Sequence, residues 1–422
     1  MKKLYILAIA ALATINVSAQ CNSRYQTDLF TTIDVTTVQY GTSVDLGSNT
    51  VNLMMDIYQP QGDVETNRPL IILAHGGSFS AGTKNDADQV FFATELAKKG
   101  YVCATINYRL ATNAFSLIVE ETTVKVVFMA VQDGKAAVRF FRKDAATTDT
   151  YKINPDQIFF GGTSAGGILA INLTYLDDIS DLMTLPNGAN WTTWMNEVGG
   201  LEGTSGNPGY CSRVNGTFGF AGGVADQAWI DPNDVPWYGS HSDGDNTVKI
   251  GYAQPLNGFT PVFLYGSDSI NGALNSVGTY AKFDRYAGSS DHPPFNGSTV
   301  SIADNKDSLA VFLYNILDCN PNNLQKPTQK NCGNITSVSD ASNNDFKLHI
   351  YPNPFNDELN IRLTDNVENT TISIINAVGK VVLNQKAQAF INKINLAHLP
   401  TGMYFVSVIS NEKTVTQKVI RK

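Results

Sequence analysis

Clustered basic residues, histidines and long apolar runs are all scarce in this chain of 422 residues. Lysine and arginine number 30 against 38 aspartates and glutamates, a formal net charge of −8, and no basic cluster occurs. Phosphate backbones are bound by clustered Lys and Arg, so nucleic acid is not an expected partner. After the first residues no stretch is long and apolar enough to span a bilayer, so no transmembrane segment is expected. No C-x-x-C or H-E-x-x-H spacing occurs, and neither a metal nor another cofactor is expected. With five histidines, His75, His241, His292, His349 and His398, the choice of a catalytic base is short.

The start of the chain has a different character. Met1-Lys2-Lys3 precedes the apolar run Leu4 to Ile15, and Val17-Ser18-Ala19 supplies the small residues a signal peptidase reads, so residues 1–19 are expected to be a signal peptide. Gln20 before Cys21 disfavours a lipoprotein site, which wants a small residue there. Export places the five cysteines in an oxidising compartment. Cys103, inside the strand-like Tyr101 to Thr105, is expected to be a buried free thiol. Among Cys21, Cys211, Cys319 and Cys332, the loop easiest to close is Cys319 with Cys332.

The most informative segment is Gly162-Thr163-Ser164-Ala165-Gly166, a serine between glycines after the apolar run Gln157 to Phe160 and before Gly167 to Leu173. A strand turning sharply into a helix there lifts the Ser164 hydroxyl from the sheet edge, and only small neighbours allow so tight a turn. A serine hydroxyl needs a base, usually a histidine oriented by a carboxylate. In the chain order of such sites the acid and then the base follow the serine. His75 comes too early, and His349 and His398 fall in a separate C-terminal region. His292, after the strand-like Tyr280 to Tyr286 and a small-residue loop, is the expected base, and His241 its support. The loop His241-Ser242-Asp243-Gly244-Asp245-Asn246-Thr247-Val248 offers Asp243 or Asp245 as the acid, with Asp245 favoured and Asp268 a distant third. Acyl transfer also needs donors for the developing oxyanion. His75-Gly76-Gly77-Ser78-Phe79 follows the buried strand-like Ile71 to Ala74, so the N–H groups of Gly77, Ser78 and Ala165 are the expected donors. A neutral imidazole must accept the serine proton, so hydrolysis is expected to fall below about pH 6.

Apolar runs near 69–74, 101–107, 157–161, 215–220, 235–240, 261–265 and 280–286 alternate with helical patterns near 87–99, 122–143, 164–176, 268–277 and 300–317. That alternation requires a mostly parallel, doubly wound sheet with helices on both faces, an α/β fold. Segments near 30–39 and 50–58 read as antiparallel edge strands. Asp177 to Arg213, with Trp191 and Trp194, interrupts the rhythm and is expected to form a cap or substrate wall rather than a plain surface excursion.

These residues carry a resemblance. The H-G-G loop, Thr105-Ile106-Asn107-Tyr108-Arg109-Leu110, Asp133-Gly134-Lys135-Ala136-Ala137-Val138-Arg139-Phe140, the Gly162 to Gly166 turn, a nucleophile elbow, and Leu264-Tyr265-Gly266-Ser267 resemble the α/β-hydrolase superfamily over roughly residues 40 to 318. Within it they are similar to secreted bacterial carboxylesterases of the feruloyl and acetylxylan esterase kind. Ser78 stands where many members have a third glycine, a change that a backbone donor survives. The resemblance implies a Ser-His-Asp serine esterase, working through an acyl-enzyme on a small or polymeric ester. Two rivals remain: a catalytically silent α/β-hydrolase acting as a surface binding protein, and a serine peptidase, which commonly carries a large extra domain.

The hydrolase region is expected over 20–319. Residues 320–346 are polar and broken by proline, a linker that cannot bury a core. Beyond it, short strand-like segments recur from Lys347 to Ile420 between Asn, Gly and Pro turns, which argues for a small β-sandwich over 347–422. Ile350-Tyr351-Pro352-Asn353-Pro354-Phe355, Asn376-Ala377-Val378-Gly379-Lys380, Leu399 to Val406 and the basic end Lys418 to Lys422 resemble the type A C-terminal sorting domain of the type IX secretion system. That implies passage through the periplasm to the cell surface or beyond, with the secretion machinery as partner. A carbohydrate-binding module is the rival, disfavoured by few aromatics and the basic end.

Overall fold

The computed structural model describes residue 21, residues 23–297 and 300–324, and in the C-terminal part 348–351, 354–363, 370–376, 380–388, 391–410 and 413–422. The expected signal peptide, most of the expected linker and Cys332 lie outside the described residues. The chain divides into two compact units, Met1–Thr336 and Ser337–Lys422.

In the first unit the strands are β1 (Ile33–Val44), β2 (Thr50–Pro60), β3 (Arg68–Ala74), β4 (Val102–Ile106), β5 (Ile153–Thr163), β6 (Gly216–Phe220), β7 (Gly223–Val224), β8 (Trp237–Ser242), β9 (Tyr252–Ala253), β10 (Leu264–Gly266) and β11 (Ala281–Tyr286). The helices are α1 (Ala87–Lys98), α2 (Glu120–Ala146), α3 (Ala165–Tyr175), α4 (Gly188–Glu197), α5 (Ser267–Val277) and α6 (Ile302–Asn315). Eight strands form one sheet in the order β1-β2-β4-β3-β5-β6-β8-β11. It is parallel from β4 to β11, with β1 and β2 antiparallel at one edge. This is the α/β-hydrolase architecture.

Strand β3 shows why the layers stack as they do. Side chains alternate across a strand. Leu70, Ile72 and Ala74 join the core under α2 and α3, while Ile71 and Leu73 join the one under α1 and α6. Its seven residues are all buried, and a fully buried Leu or Ile side chain is worth about 1.5–3 kcal/mol. An interior strand of a doubly covered sheet therefore reads as a continuous apolar run.

Two segments quoted above for resemblance alone acquire a structural role. Arg109 donates from Nε to both carboxylate oxygens of Asp133 at 3.0 Å, and its own N–H bonds Asp133 at 2.8 Å. Ser205 adds a third donor, at 2.6 Å, and Arg109 also donates to the carbonyls of Val44 and Met129. The pair is buried and pins the middle of α2 against the chain leaving β4. The next residue, Gly134, lies so close to α3 that a Cβ would sit 2.7 Å from Leu173 and 2.9 Å from Leu169.

Two expectations need correction. The 261–265 run does not enter the main sheet. β10 pairs antiparallel with β7 and β9 in a three-stranded sheet of its own, because β11 takes the place beside β8 in register from Ala281–Trp237 to Tyr286–Ser242. Cys319 is not joined to Cys332. Its disulfide partner is Cys21, 298 residues away, because the segment around Tyr25 packs into the same core as the end of α6. Cys211 is also disulfide-bonded, and Cys103 is a buried free thiol, as expected.

The second unit contains β12 (Leu348–Tyr351), β13 (Glu358–Leu363), β14 (Thr370–Asn376), β15 (Val381–Lys386), β16 (Ile391–Asn395), β17 (Gly402–Ser410) and β18 (Lys413–Arg421). They form antiparallel sheets of order β12-β13-β16 and β15-β14-β17-β18. Ile350, Leu359, Ile361 and Ile394 from one and Ile372, Ile374, Val406 and Val408 from the other share a single core, the arrangement of a small sandwich.

Candidate active site

Three chain segments leaving the same ends of the parallel strands bring Ser164, Asp245 and His292 together. Ser164 follows β5 directly with φ 54° and ψ −116° before α3 begins. Non-glycine residues rarely adopt that conformation, and it persists only where surrounding packing imposes it. The imposing contacts are close. A Cβ at Gly162 would lie 2.3 Å from the Ala74 carbonyl oxygen, and one at Gly166 would lie 2.0 Å from it. The elbow thus fits against the end of β3 only with glycine on both sides of the serine. The Ser164 N–H donates to the Phe220 carbonyl at 2.8 Å, fixing the turn to β6.

His292 lies six residues past the end of β11, with Nε2 2.8 Å from Ser164 Oγ and Nδ1 2.6 Å from Asp245 Oδ2. A carboxylate can only accept, so Nδ1 carries the proton and Nε2 offers a lone pair to the serine hydroxyl. Asp245 is wholly buried. Its Oδ1 accepts the N–H groups of Thr247 at 2.8 Å and Val248 at 3.1 Å. His241 stands 3.3 Å from Oδ2. Burial raises the Asp245 pKa, but the hydrogen bonds from His241 and His292 outweigh it and hold the carboxyl down at about 2. Of the two candidate acids, the structure therefore brings Asp245 to the histidine. Asp243 accepts from Arg285 Nε at 2.6 Å instead, and Asp268 meets the same guanidinium at 3.2 Å.

His241 is fully buried behind the acid. Its Nε2 donates to the Val248 carbonyl at 2.8 Å, and its Nδ1 is hydrogen-bonded to the Ser267 hydroxyl at 2.8 Å. In the sequence, Ser267 stands out only as the end of the Leu264 to Ser267 segment. Nothing in its spacing from His241 signals the contact.

The loop after β3 completes the site. Gly77, Ser78 and Phe79 all have positive φ, at 103°, 53° and 56°. Ser78, Phe79 and Ala165 line the same cavity as Ser164, a space of about 60 Å³. Among the described residues, the N–H groups of Gly77, Ser78 and Ala165 make no backbone–backbone hydrogen bond in the turns, loops and caps. His75, too early in the chain to be the base, sits under this loop: its ring stacks on Tyr108 at 4.3 Å, and the Tyr108 hydroxyl donates to its carbonyl at 2.8 Å. Burial lowers the His75 pKa from its ordinary value, so it braces the loop as a neutral ring.

The 177–213 insertion contributes α4. Trp191 is buried and donates to the Pro186 carbonyl at 2.8 Å, and together with Leu185 these residues wall a second cavity beside the first. Among the described residues, no cluster of three or more His, Cys, Asp or Glu is arranged to hold a metal ion. No helix of the described residues is long and apolar enough to cross a membrane.

Residues 55–189 match the BD-FAE family model, and residues 349–422 match the Secretion system C-terminal sorting domain model. Gut esterase 1 of Caenorhabditis briggsae is 26% identical over 145 residues, covering 34% of this chain and 25% of that protein. Neuroligin-like protein glit-1 of Caenorhabditis elegans is 28% identical over 116 residues, covering 27% of this chain and 14% of that protein. The chain thus spans a quarter or less of these curated relatives. Among solved structures, a propionate-bound thermophilic esterase of Thermogutta terrifontis, Est2, is 19% identical with a TM-score of 0.46, covering 66% of this chain and 91% of that one. A truncated carbohydrate esterase from gut microbiota is 20% identical with a TM-score of 0.43, covering 68% of this chain and 98% of that one.

Proposed function

We propose that this chain, an α/β-hydrolase with a secretion-system sorting domain at its C-terminal end, is an exported serine esterase that cleaves carboxylic esters through an acyl-enzyme on Ser164. The observation that carries the reading is the unbroken chain from Asp245 through His292 to the Ser164 hydroxyl, at 2.6 and 2.8 Å. The matches to BD-FAE and to Gut esterase 1 favour esters over amides.

In the reaction, His292 Nε2 takes the Ser164 proton as Oγ bonds to the ester carbonyl carbon. The negative charge passes to the carbonyl oxygen, which accepts from the N–H groups of Ser78 and Ala165, with Gly77 as the further candidate. Asp245 stabilises the imidazolium formed. His292 then returns its proton to the leaving alkoxide as the C–O bond breaks, releasing the alcohol. In the second half, His292 deprotonates a water, hydroxide attacks the acyl carbon, and the acid leaves as Ser164 regains its proton. His241 orients Asp245 without touching the substrate. The sorting domain directs the chain through the type IX machinery and takes no part in these steps.

Hydrolysis of 4-nitrophenyl acetate by the purified chain, compared with Ser164→Ala, tests the reading. A rate abolished by the substitution supports it. No hydrolysis of any short ester by the wild type would leave the binding-protein reading in its place.

A further inference from the structure

The cavity at Ser164 is small, about 60 Å³, whereas a single benzene ring occupies a cavity of about 150 Å³. Beside it lies a chamber of about 280 Å³. The two are lined in common by Thr123, Val127, Val262 and Leu264. The shared wall has two sources. Thr123 and Val127 are one turn apart on α2, and Val262 and Leu264 alternate onto one side of the segment entering β10. The rest of the chamber comes from Val124 and Phe128 on the same face of α2, from Leu185 and Trp191 of the insertion, and from Ala225 and Phe263. Phe263 is 47% exposed and stacks on Tyr252, which also lines the chamber, so this aromatic pair reaches the surface.

The chemistry of that wall selects its occupant. Its buried polar groups are already engaged within the protein. Asn172 donates to the carbonyls of Ile168 and Gly223 and accepts from the Ala225 N–H; Thr123 donates to the Leu117 carbonyl, and Trp191 to that of Pro186. Among the lining residues Glu120 alone is charged, and it accepts from Asn187 at 3.4 Å. A sugar ring placed there would bury hydroxyls without partners, a cost of about 1–3 kcal/mol for each unsatisfied group. A hydrocarbon group loses nothing of the kind and gains by leaving water for the apolar wall.

We propose that this chamber is a binding subsite for the apolar arm of the substrate, an aromatic or aliphatic group too large for the Ser164 cavity, which it enters across the threshold of Val127 and Val262. The proposal rests on the serine esterase reading for the position of the ester bond, but the chamber's affinity for hydrocarbon does not.

The test separates the two. Binding of 2-naphthol is measured by fluorescence in the full chain carrying Ser164→Ala, and then with Val124→Trp or Ala225→Leu added. These fill the chamber from two different segments, α2 and the chain leaving β7, so one serves if the other fails to fold, as judged by circular dichroism. In parallel, kcat/KM of the chain with native Ser164 is measured for 2-naphthyl acetate, methyl 2-naphthoate and ethyl acetate. One site for 2-naphthol is expected, weakened at least tenfold in a folded filled variant. A similar fall is expected in kcat/KM for one of the two naphthyl esters relative to ethyl acetate. Absence of binding, or equal affinity in a folded filled variant, overturns the subsite even if esters are cleaved. Binding lost on filling, in a protein that cleaves none of the esters, sustains the subsite and overturns the esterase reading.

Discussion

Asp245 and His241, four residues apart, meet at 3.3 Å with both side chains completely buried, while Asp243 between them turns outward to Arg285. One short loop thus sorts its two carboxylates into different tasks. Asp245→Asn is expected to lower kcat by about 10²- to 10⁴-fold, because an amide in its place no longer fixes the histidine tautomer. Asp243→Asn loses only an exposed ion pair, worth about 0–1 kcal/mol, and should keep kcat/KM within a few-fold. Steady-state rates on a short ester check both, and the reverse ranking would exchange the two residues.

The depressed pKa of Asp245 has a consequence for acid stability. Its folded-state value of about 2 lies below the ordinary carboxylate value of 3.8. The stabilisation, about 2 kcal/mol, is therefore present above roughly pH 4 and lost as pH falls through about 2. His241→Ala removes one of the two hydrogen bonds that hold the value down, so acid unfolding followed by circular dichroism should move to higher pH. Superimposable curves would mean that His241 does not support the carboxylate. Because its carboxyl is held down at about 2, Asp245 should not contribute a limb to the kcat/KM profile above pH 4.

The Arg109–Asp133 pair is predicted to matter for folding rather than chemistry. Removing one partner of a buried, multiply bonded ion pair leaves an uncompensated charge and costs about 3–5 kcal/mol. Asp133→Leu should therefore lower the denaturant midpoint sharply, while Arg109→Met with Asp133→Leu should recover part of the loss. A double variant no more stable than the single one would contradict this account.

Much of this was legible in the chain. The elbow announces itself because its glycines are steric requirements of the turn, and His292 and Asp245 follow from chain order and from the loop pattern after β8. Strand and helix positions followed the apolar rhythm, since β3 and β5 are covered on both faces. Other features depend on contacts between distant segments, which no local pattern encodes. Cys21 reaches Cys319 across 298 residues, whereas sequence spacing favours the short loop to Cys332. The 261–265 run reads as a sheet strand because β10 is as apolar as one, and only the placement of β11 excludes it. The Ser267–His241 bond and the Arg109–Asp133 pair likewise join segments whose separation carries no signal. The insertion's part in walling a cavity depends on Trp191 facing α2, which its composition suggests but does not fix.

The central claim, that Ser164 is a nucleophile activated by His292, is tested most directly by covalent labelling. Intact-mass measurement after exposure to a fluorophosphonate is expected to find one adduct per chain, mapped by peptide analysis to Ser164. The adduct should be absent in Ser164→Ala and form orders of magnitude more slowly in His292→Ala. A wild-type chain that stays unlabelled, or one labelled at the same rate without His292, would contradict the account.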